Sequence, residues 1–127
     1  MNYALIKGAT MSIRLGRINS EMQKNISEII RNKLKNPRID GLVSVLAVDT
    51  AKDLKTAKVT LSISSDNDEA TIDAIRSSAG FIKREVSQMM RDMRTTPDLI
   101  FILDKSLKYS EKINQILEEI KTDSGEN

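Results

Sequence analysis

Between Arg17 and Lys35 the apolar residues fall at Ile18, Met22, Ile26, Ile29, Ile30 and Leu34. Steps of three and four put them on one face of a long helix. Pro37 lacks an amide hydrogen and restrains Asn36, so the helix ends there, and Gly41 supports a turn. The period then changes. Leu42 to Val48 is short, apolar and valine-rich, which is the composition of a buried strand. Asp49 to Lys55 reads as a turn. Ala57, Val59, Leu61 and Ile63 then alternate with Lys58, Thr60, Ser62 and Ser64, a strand with one wet face. Little chain separates the two strands, so an antiparallel hairpin is expected.

Helical spacing returns from about Asp68 to Met93 and is interrupted at Gly80. A glycine inside a helix costs about 1 kcal/mol against alanine and commonly marks a break. Two helices are therefore expected to meet at Ser78-Ala79-Gly80, with Thr95-Thr96-Pro97 ending the second. Asp66, followed three residues later by Glu69, fits a cap for the first of them. Leu99 to Leu103 is an apolar run read as a third, well-buried strand. It follows two helices, so a parallel pairing by crossover is open to it. Ile113, Ile116, Leu117 and Ile120 mark a last short helix.

Residues 1–13 show no period and are expected to form a disordered extension, with Met11 an alternative start. Residues 122–127 are a polar tail, also expected to be disordered. The fold class is α+β: helix, strand, strand, helix, helix, strand, in one domain over residues 14–121. A three-stranded sheet with helices on one face satisfies that order.

Composition narrows the chemistry. With 39% hydrophobic and 30% charged residues in 127, the chain has the make-up of one globular domain. It contains no cysteine and no histidine, which removes disulfides, thiolate nucleophiles, imidazole bases and their metal sites. Two Phe, two Tyr and no Trp cannot furnish an aromatic platform for stacking bases. No apolar run approaches the ~20 residues that span a bilayer, and the first residues lack a signal-peptide pattern, so a cytoplasmic protein is expected. The carboxylate pairs Asp49/Asp53 and Asp66/Asp68 could in principle serve a hydrolase. Both lie in expected turns, where aspartate is common for conformational reasons, and no motif assembles a nucleophile, a base and an orienting group. The acidic run from Asp66 also lacks the glycine and closing glutamate of a calcium loop. The expectation is no enzyme, no metal and no cofactor.

Charge is unevenly placed. Arg14 to Arg38 has seven basic residues against two acidic, and Arg76 to Arg94 has five against two. Ile39 to Ile75 has three against seven. A surface with one basic side is the footprint of a polyanion partner. Solvated charged helices would also give alternating charge, so the face matters more than the sum. If Gly80 to Arg94 is helical, Gly80, Arg84, Ser87, Arg91 and Arg94 fall within a sector of about 80° at 100° per residue. That stripe holds no acid. Guanidinium pairs bidentately with phosphate. Gly80, without a Cβ, would let a sugar-phosphate backbone approach, and a helix N-terminus there would favour an anion. Ile82, Val86, Met89, Met90 and Met93 form the opposite, core side. The basic residues of the first helix spread around its axis and give a weaker signal.

Several short motifs in register resemble the ribosome-binding factor A family. They are Arg14-Leu15-Gly16-Arg17-Ile18-Asn19, Asn36-Pro37-Arg38, and Val48-Asp49 through Asp53-Leu54 to Ala57-Lys58-Val59. Ser78-Ala79-Gly80-Phe81-Ile82-Lys83-Arg84-Glu85, Arg91-Asp92-Met93-Arg94, Pro97-Asp98-Leu99-Ile100-Phe101 to Asp104, and Ser106-Leu107 with Tyr109 continue the series. The resemblance covers about residues 14–120. It implies a type II KH-like fold in which an Ala-x-Gly kink replaces the Gly-x-x-Gly turn of nucleic-acid-gripping KH domains. Here the triplet is Ser78-Ala79-Gly80, with Ser in place of the family's Ala. The resemblance further implies a non-catalytic factor of ribosome biogenesis, and a monomer is expected. It would bind 16S rRNA of the 30S subunit, assist late maturation and rRNA processing, and matter most for growth in the cold. The candidate RNA contacts are Arg84, Arg91 and Arg94 on phosphates, Gly80 and Ser78 at the kink, Ser87 in the stripe, and Arg76 and Lys83 flanking it. A protein-interaction module that touches no RNA is the alternative; an exposed apolar patch would favour it.

Overall fold

A computed structural model describes the backbone of residues 3–106, 113–118 and 120, with side chains from residue 13 onward. Helix α1 is Tyr3–Asn32, and strands β1 (Leu42–Thr50) and β2 (Thr56–Ser64) follow. Helices α2 (Asp68–Ser77) and α3 (Ala79–Met89) come next, then β3 (Asp98–Leu103). The sheet order is β1-β2-β3, antiparallel between the first two and parallel between the last two. Hairpin and crossover both match the sequence reading. The helices cover one sheet face, where Met22, Ile26 and Ile29 of α1 meet Val59, Leu61, Ile72, Ile75, Ile82 and Val86 in one buried cluster.

Four expectations change. First, α1 runs back to Tyr3, so residues 3–13 are helical where an extension without order was expected. The apolar face begins only at Ile18, which is why the pattern is silent before it.

Second, β1 and β3 are not buried on both sides. Leu42, Leu46, Ile100 and Ile102 are exposed, because among the described residues no helix covers the second sheet face. A bulge in β1 hides its alternation. The register slips between Val45 and Ala47, so Val43 and Val45 before it, and Val48 and Thr50 after it, all turn toward the core side. The Gln23 side-chain amide of α1 donates to the carbonyls of Val45 (2.9 Å) and Leu46 (3.3 Å), satisfying acceptors at the bulge.

Third, the α2 cap residue is Asn67, not Asp66, and its side chain makes no capping bond. Asp68 and Glu69 in the first turn still suit the positive end of the helix dipole. Fourth, α3 stops at Met89, not near Arg94. Met90 and Met93 keep the apolar spacing, because Met90 is buried and Met93 packs against the core, but they belong to a turn in which Met93 N–H donates to Met90 O (3.1 Å).

Residues 113–118 are helical, as expected, and Ile113, Ile116, Leu117 and Ile120 are all exposed. The expected disordered tail, 122–127, lies outside the described residues.

Candidate nucleic-acid interface

The solvent face of α3 is set by its core face. Ile82 and Val86 are buried, so Gly80, Arg84, Ser87 and Gln88, on the far side of the turn, are exposed. This part of the expected stripe stands. Arg91 and Arg94 are exposed too, but they sit beyond the helix in the chain that leads to Pro97. The basic ridge is therefore one helical arginine plus a basic turn, not three arginines on one helix.

Among the described residues, Arg84, Arg91 and Arg94 form no ion pair. The carboxylate next to Arg84, that of Glu85, is engaged elsewhere. It accepts from Lys33, just past the end of α1, at 2.8 Å and is mostly buried. The guanidinium of Arg84 keeps its charge open to solvent as a result.

Three other candidates are engaged inside the protein. Arg76 donates through Nε and Nη2 to the Phe101 carbonyl (3.2 and 3.0 Å) and lies 3.7 Å from Asp73. Bonds from Asp98 N–H to the Lys55 carbonyl, just before β2, and from Asp104 N–H to the Leu61 carbonyl show that alternate β3 residues face β2. The Phe101 carbonyl therefore points to the free edge, and Arg76 covers that edge. Lys83 pairs with Asp98 at 2.7 Å. Ser78 donates its hydroxyl to the Ala74 carbonyl at 3.1 Å. That is its single donor, so none is left for a phosphate.

Ser78 is the joint of the kink, closing α2 and opening α3 with φ −95°. Only one residue separates the helices, so the carbonyl end of α2 abuts the amide end of α3 and offsets its dipole. The anion-favouring helix N-terminus expected at Gly80 is weakened accordingly. Gly80 itself faces open space: a Cβ there would meet nothing within 4 Å. Its permissiveness is unused within the fold and is available to an incoming molecule.

Sequence reasoning left Arg14 and Arg17 out of the site. Both are exposed on α1 and, with Arg94, line a groove of about 700 Å³ between α1, the β1–β2 turn and the chain after α3. Arg14 and Arg17 likewise form no ion pair among the described residues. The basic stretch from Arg14 and the arginine-rich opening motif hinted at them, but their spread around the helix axis gave no face. Two of the four carboxylates considered for hydrolysis have local tasks: Asp53 Oδ1 accepts from Lys55 N–H (3.0 Å) and Asp68 Oδ1 from Glu69 N–H (2.9 Å). Among the described residues no group of three or more Asp or Glu is placed to hold a metal ion.

Known proteins share both the sequence and the architecture. The family model for ribosome-binding factor A matches residues 14–117. Proteins named ribosome-binding factor A from Clostridium novyi and Clostridium tetani are 44% and 47% identical over 110 residues, covering 85% of this chain and 90% of each of theirs. The crystal structure of ribosome-binding factor A from Thermus thermophilus superposes with a TM-score of 0.65 at 22% identity, over 72% of this chain and 97% of that one. A Thermus thermophilus ribosome-binding factor A homology model, fitted into a cryo-EM map of a 30S complex, gives 0.56 at 21% identity over 68% and 91%. The fold thus agrees with structures of the type II KH-like class that the motifs implied. This chain belongs to the ribosome-binding factor A family.

Proposed function

We propose that the protein is a non-catalytic assembly factor that binds the small ribosomal subunit through 16S rRNA, assists its late maturation, and leaves before translation. One observation carries the RNA contact. Arg84, Arg91 and Arg94 are exposed and, among the described residues, free of ion pairs, and Arg14 and Arg17 extend the cationic surface through the groove they share with Arg94. Guanidinium groups without internal partners are ready to exchange counterions for phosphates. Gly80 and Ser87 lie on the same helical face as Arg84 and would let the strand run close to it. Arg76, Ser78 and Lys83 support the scaffold and not the contact. Family membership, and the relative fitted into a 30S complex, supply the partner. The protein acts as a monomer in the cytoplasm, and its loss is expected to slow growth most in the cold.

Crosslinking of the full chain to 30S particles, with the attached RNA sequenced, tests this reading. Recovery of one defined 16S segment is expected. Crosslinks confined to ribosomal proteins would overturn it in favour of a second reading, a protein-interaction module. That reading has its own support: Leu46, Ile100 and Ile102 stand exposed on the uncovered sheet face. Salt separates the two, because an apolar contact would hold at ionic strengths that release phosphate contacts.

A further inference from the structure

The groove that contains Arg14, Arg17 and Arg94 offers more than phosphate chemistry. Its volume of about 700 Å³ is that of a small-ligand pocket. Ile18, Leu54 and Met93 give it apolar surface, and Glu21 and Asp92 add two carboxylates to the three guanidinium groups. A bare phosphate would gain nothing from the apolar surface and would be repelled by the carboxylates. A whole nucleotide uses all three kinds of group. Its phosphate pairs with guanidinium. Its base lies against apolar, thioether or guanidinium surfaces. The amino and imino hydrogens of a base edge suit carboxylates, which when ionised can only accept.

Leu54 supplies an independent observation. Among the described residues it alone, apart from glycine, has a positive φ, at 62°. That backbone region favours glycine or asparagine over a bulky side chain. The turn itself has no need of leucine. Leu54 N–H donates to Ala51 O (2.9 Å), Ala51 N–H to Thr56 O (2.9 Å), and Lys55 N–H to Asp53 Oδ1 (3.0 Å), and none of these bonds involves the Leu54 side chain. The side chain is half-buried and lines the groove, together with a smaller apolar hollow beside Ile18 and Arg14. A strained residue held where its side chain meets a binding surface points to function at that surface.

We infer that this groove takes one unpaired nucleotide of an RNA strand, with its phosphate on Arg14, Arg17 and Arg94 and its base against Leu54 and Met93. The inference rests on the RNA reading proposed above. It adds that the strand is single at this point, because a base paired in an A-form helix is not free to enter a side pocket.

Fluorescence anisotropy with the full chain tests it. The probes are a labelled seven-nucleotide single strand of mixed sequence, the same strand made abasic at each position in turn, and the matching duplex. One abasic position is expected to weaken binding about tenfold, the scale of one lost base contact. The Leu54→Asn variant should show a similar loss on the intact strand, no further loss on that abasic strand, and a Tm equal to or above that of the parent protein. A side chain that merely fills the turn would not separate stability from binding in that way. Equal affinity for intact and abasic strands overturns the inference, as does unchanged strand binding by Leu54→Asn. If that variant fails to fold, the abasic series decides alone. If Leu54→Asn loses 30S particles while abasic and intact strands bind alike, the groove holds a protein side chain, and the inference falls. Binding of strand and duplex alike also removes it but leaves the RNA reading standing. Binding of neither RNA nor 30S particles removes both.

Discussion

The double substitution Arg84→Ala/Arg91→Ala isolates the electrostatic contact. Both side chains are exposed and form no ion pair among the described residues, so the fold should hardly notice their loss. Surface changes of this kind stay within about 0.5 kcal/mol, or roughly 2 °C in Tm for a domain of this size. Binding should respond more. Taking about 1 kcal/mol for each exposed arginine–phosphate pair at low salt, the double variant loses about 2 kcal/mol, or about 30-fold in affinity. Each phosphate contact also contributes about 0.7 to the logarithmic salt slope of single-stranded nucleic acid, so two contacts contribute about 1.4. Between 50 and 200 mM salt that difference amounts to about sevenfold. The gap between parent and variant should therefore shrink from about 30-fold to about 4-fold across that range. Anisotropy titrations on a 16S fragment at four salt concentrations, with thermal melts in parallel, read all three quantities. A gap that stays constant across salt, or no gap at all, would refute the claim that these guanidinium groups hold phosphates.

Four further perturbations separate scaffold from interface. Gly41 has φ +77°, and an added Cβ would lie 2.2 Å from the Ser64 carbonyl oxygen, so Gly41→Ala should cost about 2 kcal/mol or more in urea unfolding. Gly80→Ala should do the reverse, stabilising α3 by roughly 0.5 kcal/mol because its Cβ meets open space, while weakening RNA binding; unchanged affinity would take Gly80 out of the interface. Arg76→Ala should cost about 1 kcal/mol of stability through the lost bonds to the Phe101 carbonyl and leave RNA affinity within twofold. The Ser106 hydroxyl and amide both donate to Asp104 and hold its carboxyl below the usual 3.8, so NMR titration should find Asp104 ionised at lower pH than ordinary aspartates, and Ser106→Ala should move it back up. With a depressed folded pKa, any stability this pair provides is present above the ordinary carboxylate range and is lost as pH falls through the folded value.

The fold was legible wherever one physical rule acted alone. β2 alternates cleanly because one of its faces meets helices and the other meets solvent, and its buried residues Ala57, Val59, Leu61 and Ile63 are those that alternation selects. α1 shows its face from Ile18 onward because a sheet lies beneath it there. Where two rules overlapped, the pattern misled. The bulge at Leu46 changes the parity of β1, so its inward residues are spaced by two, then three, then two, and a short apolar run results that imitates a doubly buried strand. In β3 the run of Leu99 to Leu103 has the same look for a different reason. Leu99 and Phe101 are buried, while Ile100 and Ile102 are apolar residues on an open face. Hydrophobicity marks burial in one direction only, and an exposed isoleucine looks the same in sequence as a core one.

The site was harder to read because it is assembled from distant segments. Periodicity extended α3 to Arg94 because Met90 and Met93 continue to pack on the core after the helix has stopped, so the apolar face outlives the hydrogen-bond ladder. Arg91 and Arg94 are exposed all the same, but in a turn whose direction the helical rule does not give. The turn carries Arg94 to Arg14 and Arg17, about eighty positions earlier in the chain, and only tertiary packing of α1 beside α3 brings them together. Leu54 completes the groove from a third segment, in a backbone conformation that the neighbouring Asp53 and Lys55 do not announce. Charge counting could find a basic side but not its shape. A ridge of evenly spaced helical arginines would read a phosphate backbone without discriminating strand from duplex. A helical arginine beside a mixed groove would discriminate, if the groove takes, as proposed, only a base that has left its partner. On the reading proposed above, the departure from the expected helix is what would turn a nonspecific cationic surface into one able to recognise unpaired RNA.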